Sequence, residues 1–203
     1  MEKWILATNN KNKLREIQEM LADTNITVVS QADAGYDFEV EENGSTFAEN
    51  AEIKARAIWD AARKNGESCA VLADDSGLAV DALNGEPGVF SHRWAGEQAT
   101  DADRIAKLLS VMQDVPDDRR QAHFACVMCL IESDGTVHIF EGRVNGTILR
   151  APEGENGFGY DPVFGYQGRS FAMLSADEKN AVSHRHDALR QLLAYCAGHA
   201  SDS

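Results

Sequence analysis

Basic residues are in short supply in this chain. Lys and Arg number 19 against 33 Asp and Glu, a formal balance of −14 over 203 residues. The deficit excludes broad electrostatic binding to duplex DNA, RNA or anionic membrane, partners that need a net basic surface. A small anionic ligand stays compatible, because it needs only a local group of positive side chains. Long apolar runs are absent as well. The longest, residues 124–131, spans eight residues, against the ~20 that a membrane-crossing helix requires. The segment Met1-Glu2-Lys3-Trp4-Ile5-Leu6-Ala7 lacks the long apolar stretch of a secretory signal. Four cysteines without such a signal predict free thiols in a reducing cytoplasm. No repeat, low-complexity tract or Pro/Ser-rich linker interrupts the chain. With 43% apolar and 26% charged residues, its composition is that of a globular protein. The expectation is one domain over residues 1–203, with an ordered core at about 3–196.

What is present reads as alternating strands and helices. Trp4-Ile5-Leu6-Ala7 is an unbroken apolar run, as in a strand buried on both faces. Leu14, Ile17 and Leu21 follow at helical spacing, and residues 26–29 form a second strand candidate. Thr46-Phe47-Ala48-Glu49 fits a capping box. From there Phe47, Ala51, Ala55, Ile58 and Ala62 draw an apolar stripe along a helix ending near Gly66. Ala70-Val71-Leu72-Ala73 is another buried strand, running into Asp74-Asp75-Ser76-Gly77 at its carboxyl end. A third helix is predicted over residues 100–112 and a last one over roughly 186–196. Between them, two apolar segments (122–131 and 137–144) bracket Asp134-Gly135, a hairpin signal. Cys126 and Cys129 sit three apart in a strand, so their thiols face opposite sides and share neither a metal nor a bridge. The pattern is an α/β unit with a mixed sheet.

Four places carry residues suited to chemistry. Thr8-Asn9-Asn10-Lys11-Asn12-Lys13 joins a buried strand to a helix N-terminus, where backbone donors, the helix dipole and two lysines favour an anion. It has none of the glycines of the named phosphate loops, and a solvated connection is the plain alternative. Asp74-Asp75-Ser76-Gly77 offers carboxylates of the kind that hold Mg²⁺ together with substrate phosphates. Only one of the two aspartates need face the ligand, and an Asx turn explains the pair equally well. Glu39, Glu41 and Glu42 read as a solvated acidic loop unless the fold brings one beside Asp75. In Gly157-Phe158-Gly159-Tyr160-Asp161-Pro162, two glycines flank an aromatic that can stack on a flat base. Lys179 with Ser183-His184-Arg185-His186 is a basic exception in an acidic chain, able to meet phosphate or a base carbonyl, or else a surface helix start.

Taken in order, six motifs resemble one family across most of the chain. They are Thr8-Asn9-Asn10-Lys11-Asn12-Lys13, Thr46-Phe47-Ala48-Glu49-Asn50-Ala51, Ala73-Asp74-Asp75-Ser76-Gly77-Leu78, Pro87-Gly88-Val89-Phe90-Ser91, Gly157-Phe158-Gly159-Tyr160-Asp161-Pro162 and Ser183-His184-Arg185. The family is the noncanonical purine nucleotide pyrophosphatases, the Ham1-like group. The resemblance implies an elongated mixed sheet flanked by helices, two lobes with a central active-site cleft, and a homodimer. It implies Mg²⁺-dependent hydrolysis of dITP, ITP and XTP to monophosphate and pyrophosphate.

By that resemblance Thr8, Asn10 and Lys13 grip the phosphates, with Asn9, Lys11 and Asn12 in the same loop. Asn9 stands where the family has a glycine, a position where Asn tolerates left-handed backbone. Asp75 acts as general base and metal ligand, joined by Glu41 or Glu42, and Ser76 touches the substrate. Phe158, Gly159, Tyr160 and Asp161 form the base wall, and Lys179, His184 and Arg185 read the base's oxygen edge. Two other readings compete: a Maf-like pyrophosphatase acting on other nucleotides, and a nucleotide sensor that has lost hydrolysis.

Overall fold

The computed structural model describes residues 2–199. Seven strands form one mixed sheet in the order β2-β1-β3-β4-β5-β6-β7. They are β1 (Glu2–Leu6), β2 (Ile26–Ser30), β3 (Ala70–Val80), β4 (Gln121–Ile131), β5 (Val137–Ile148), β6 (Phe164–Tyr166) and β7 (Arg169–Ser170). β1 pairs in parallel with β2 and β3, whereas β6 pairs antiparallel with β5 and β7. Among the described residues five α-helices accompany them: α1 (Lys11–Leu21), α2 (Phe47–Lys64), α3 (Asp101–Val111), α4 (Ala176–Val182) and α5 (His184–His199). No helix among the described residues is long and apolar enough to cross a membrane.

The chain divides into two compact units. The first takes the residues up to Asp75, Cys126–Gly142 and those from Arg185 on; the second takes Ser76–Ala125 and Arg143–His184. In the first unit both sheet faces are covered, which is why its strands are apolar without alternation. Trp4, Leu6, Leu72, Cys126 and Met128 pack with Ile17 and Leu21 of α1 and Leu189 and Leu192 of α5. Their neighbours in sequence, Ile5, Val71, Ala73, Val127 and Cys129, pack with Ala51, Ala55 and Ile58 of α2. Ile17, Ile58, Leu72 and Met128 lose all exposure, each contributing roughly 1.5–3 kcal/mol. The second unit is built around Leu78, Val80, Leu108, Phe124, Val144, Phe164 and Phe171. There Arg120 staples the chain, donating to the carbonyls of Met112, Ile148 and Leu149 at 2.7, 2.8 and 3.0 Å.

The local signals are realised where they depend on neighbours in sequence. Thr46 caps α2 in a full capping box with Glu49, and Thr100 caps α3 with Asp103. Asp134-Gly135 turns β4 into β5. Asp74-Asp75-Ser76-Gly77 is a departure. It does not end the strand but lies inside β3, which continues through Leu78, Ala79 and Val80. The carboxylates are held within the sheet by cations on the helices, as described below.

The two core cysteines lie on opposite faces, and no cysteine among the described residues is bridged. Burial pushes both thiols up to about 12. At pH 8 neither carries appreciable thiolate, the reactive form. A disulfide reagent is therefore expected to titrate only the half-buried Cys69 and Cys196 in native protein, and all four thiols after denaturation. Prompt native reaction at four thiols would contradict the packing.

Candidate active site

In the first unit, strand parity sorts the two adjacent aspartates. Asp74 shares the face of Leu72 and therefore meets α1 and α5; Asp75 shares the face of Ala73 and meets α2. Asp74 Oδ2 lies 3.2 Å from Lys13 Nζ and 3.3 Å from Arg185 Nη2. The other terminal nitrogen of Arg185 pairs with Glu16 of α1. Asp75 Oδ1 lies 3.5 Å from Lys54 Nζ, and Glu42 Oε2 lies 3.1 Å from the same ammonium. Asn50, one turn before Lys54, also hydrogen-bonds the Asp75 side chain.

The electrostatics follow this sorting. Burial pushes the Asp74 carboxyl up, but Lys13 and Arg185 beside it, with Lys54 further off, hold it well below the usual carboxylate range. For Asp75 burial wins: it raises the carboxyl against Lys54 and Lys13, and the Glu42 carboxylate adds to the rise. Burial draws the Lys54 ammonium down, yet Asp75, Asp74 and Glu42 together carry it above its ordinary value. One carboxylate is thus locked in its charged form, and its neighbour has an enhanced affinity for a proton.

Can these residues hold a divalent cation? Asp75 and Glu42 already converge on one positive charge, and both present hard oxygen donors. Asp74 Oδ1 is buried without a hydrogen-bond partner among the described residues. No three His, Cys, Asp or Glu side chains among those residues close a metal cage. That donor set fits Mg²⁺, which takes one or two carboxylates and completes its shell with water and substrate phosphates. Of the two glutamates expected from sequence, Glu42 reaches this cluster, while Glu41 is exposed.

The loop before α1 is differently built from the expectation of open helix donors. Asn10 is the N-cap, and its side chain accepts from the N–H groups of Asn12 and Lys13 at 2.9 and 3.2 Å. Thr8 Oγ1 accepts from Asn10 N–H at 3.1 Å. Asn9 has no positive φ, so the loop does not use the left-handed backbone allowed for it. Asn9 and Lys11 are exposed; Thr8, Asn12 and Lys13 are half-buried.

In the second unit a second cluster surrounds the Phe158 loop. Asp161 Oδ2 accepts from Phe158 N–H at 2.9 Å and pairs with Lys179 Nζ at 2.6 Å. That ammonium stands 4.6 Å from the Phe158 ring centroid, over a half-buried ring. Gly159 N–H donates to Asp101, and the buried Tyr160 donates its hydroxyl to the Ser91 carbonyl. His184 stacks on Phe124 with centroids 4.9 Å apart, and Ser76 is half-buried on β3. The Ser183–Arg185 segment is buried and is no surface helix start. Arg185 belongs to the first unit, its guanidinium committed to Glu16 and Asp74.

Sequence reasoning misses Lys54, Asn50 and Glu16. Lys54 has a visible signal: it lies seven after Phe47 and four before Ile58, inside the apolar stripe of α2. A cation on a buried stripe needs an anionic partner. Asn50 holds the acidic loop too, its Oδ1 accepting from Gly44 N–H at 2.8 Å. A Cβ on Gly44 would stand 2.7 Å from that oxygen, so only glycine fits there.

Comparison with known proteins adds an independent line. The model of the Ham1 family matches residues 4–195. The chain is 47% identical over 196 residues to a dITP/XTP pyrophosphatase of Clostridium perfringens, covering 95% of this chain and 96% of that one. It is also 47% identical over 197 residues to the dITP/XTP pyrophosphatase of Escherichia coli K12, covering 95% and 97%. Among solved structures, a HAM1 protein from Coxiella burnetii is 45% identical with a TM-score of 0.85, covering 98% of this chain and all of that one.

Proposed function

The chain belongs to the Ham1 family, and on that premise we propose that it hydrolyses dITP, ITP and XTP to the monophosphate and pyrophosphate. It thereby keeps deaminated purines out of the nucleotide pool. The observation that carries this reading is the cluster on β3. Asp75, buried and raised in proton affinity, stands beside Glu42 and Lys54, and Asp74 next to it holds Lys13.

In this reading Asp75 orients a water and takes its proton as the oxygen attacks the α-phosphorus. Lys13, with Thr8, Asn10 and the rest of their loop, takes the phosphates, and Ser76 touches the substrate. Asp75 and Glu42 would hold Mg²⁺, which would supply charge neutralisation to a triphosphate otherwise repelled by an acidic protein. Phosphoryl-type transfer depends mainly on such positioning and charge stabilisation. The same reading includes a homodimer, which rests on the motif resemblance, and a cytoplasmic location, which rests on the cysteine usage.

Base choice falls to Phe158 and the Asp161–Lys179 pair. The ring stacks on the purine, and the ammonium offers only donors to its 6-position. Hypoxanthine and xanthine present a carbonyl oxygen there, whereas adenine presents an amino group that meets donors with donors. Such a mismatch costs roughly 1–3 kcal/mol per buried group. Lys179→Ala is therefore expected to narrow the kcat/KM gap between ITP and ATP by about ten- to a hundredfold. An unchanged ratio would place base reading elsewhere.

The deciding experiment is turnover of purified protein with Mg²⁺ on ITP, XTP, dITP and the four standard deoxynucleoside triphosphates, assaying pyrophosphate and phosphate separately. Pyrophosphate from the deaminated purines alone is expected. Release from standard nucleotides would favour the Maf-like activity, and binding without turnover would favour a sensor.

A further inference from the structure

The motif Pro87-Gly88-Val89-Phe90-Ser91 and the first turn of α3 hold none of the groups given to substrate or metal, yet both grip the loop that carries Phe158. Three consecutive residues of that loop are tied. Phe158 N–H donates to Asp161, Gly159 N–H donates to Asp101 Oδ2 at 2.8 Å, and the Tyr160 hydroxyl donates to the Ser91 carbonyl at 2.8 Å. The anchors are themselves held. Asp101 Oδ1 accepts from Nη1 of the buried Arg104 at 2.6 Å, and Arg104 Nε donates to the His92 carbonyl. Ser91 Oγ donates to the Gly88 carbonyl at 2.6 Å and accepts from Leu78 N–H of β3 at 2.9 Å.

The loop needs such ties. Gly159 adopts φ +61°, and a Cβ there would touch nothing within 4 Å, so glycine is required by conformation and not by space. With Gly157 also at positive φ, the untied segment has many competing backbones. The tie at Gly159 is made by a charged side chain from outside the loop, and such bonds are roughly twice as strong as neutral ones. Arg104 shares that carboxylate and aims it, because one oxygen serves each partner.

We propose that Asp101, aimed by Arg104, is a positioning residue for base recognition. It fixes the Gly159 backbone, and through it the placement of Phe158, without itself meeting the nucleotide. This rests on the reading that Phe158, Asp161 and Lys179 take the base. The consequence is an effect on affinity rather than on the chemical step.

Three variants test it. Asp101→Ala removes the latch. Asp101→Asn keeps an oxygen for Gly159. Thr100→Ala removes the N-cap of the same helix, which Asp103 N–H reaches at 3.2 Å, without touching Gly159. The readouts are amide exchange over residues 158–160, and KM and kcat on ITP. Asp101→Ala is expected to speed exchange at Gly159 and raise KM about tenfold with kcat within about twofold. Asp101→Asn should recover most of the loss, and Thr100→Ala should leave both readouts near wild type. The latch is overturned if Asp101→Ala leaves exchange and KM unchanged, or if Thr100→Ala reproduces its effects. A wild-type protein that turns over no nucleotide sinks the functional reading instead; exchange at Gly159 then decides the latch alone.

Discussion

Asp75→Asn is expected to lower pyrophosphate release by about a thousandfold or more, in line with the 10²–10⁴ that a positioned proton acceptor supplies, while nucleotide still binds. Asparagine keeps the shape and the hydrogen-bonding reach of the side chain but takes no proton from water. Thermal stability should move in the other direction. A carboxyl whose affinity for a proton is raised in the fold is a cost to the native state once it ionises, and that cost grows as pH rises through the raised value. Burial is the largest cause of the rise at Asp75, so a neutral side chain there should leave the melting temperature at or above that of wild type. Loss of activity with stability kept or gained is the signature of a strained catalytic group. Loss of both together would make Asp75 a structural residue, and full activity would remove it from the chemistry.

The same pair of aspartates shows where local reading of a sequence ends. The four residues 74–77 look like the end of a strand because two carboxylates and a glycine are poor strand interior by local propensity. Yet β3 runs on to Val80. The cations that make this possible, Lys13, Lys54 and Arg185, lie on three different helices, and Arg185 is 111 residues from Asp74. No window of sequence contains them all. Features decided within a turn or two are a different matter. The capping boxes at Thr46 and Thr100 need only residues three apart, and the opposite facing of Cys126 and Cys129 needs only the pleat. Gly157-Phe158-Gly159 lies between these cases. Its glycines announce an unusual loop, but the partner that sets it, Asp101, lies 58 residues away. The Ham1-like motifs are legible because each is a short run of adjacent residues in this chain. What Arg185 does with its guanidinium becomes visible only when its partners are in place.

Those partners make Arg185 the position where substitution should cost most stability. Arg185→Ala removes the cation that Asp74 and Glu16, both buried, share, and leaves Asp74 with Lys13 as its remaining ion-pair partner. Breaking a buried pair in this way costs about 3–5 kcal/mol, and in a domain of this size that lowers the melting temperature by on the order of 10 °C. Acid tolerance should fall with it. Because Asp74 is held below the usual carboxylate range, its contribution is present above an ordinary value near ~4 and is lost only as pH falls toward its lowered one. Without Arg185 the lowering rests on Lys13 and Lys54 alone, so the midpoint of acid unfolding should move to higher pH. Adding Glu16→Gln to Arg185→Met separates burial from pairing. The double variant should be more stable than the sum of the singles predicts, since the second change removes a charge whose guanidinium partner the first has taken away. Additive losses and an unmoved acid midpoint would mean that the guanidinium is not the counter-ion of this core. In that case the role that the motif resemblance gives Arg185 in Ser183-His184-Arg185, contact with the base, would be the reading to test directly.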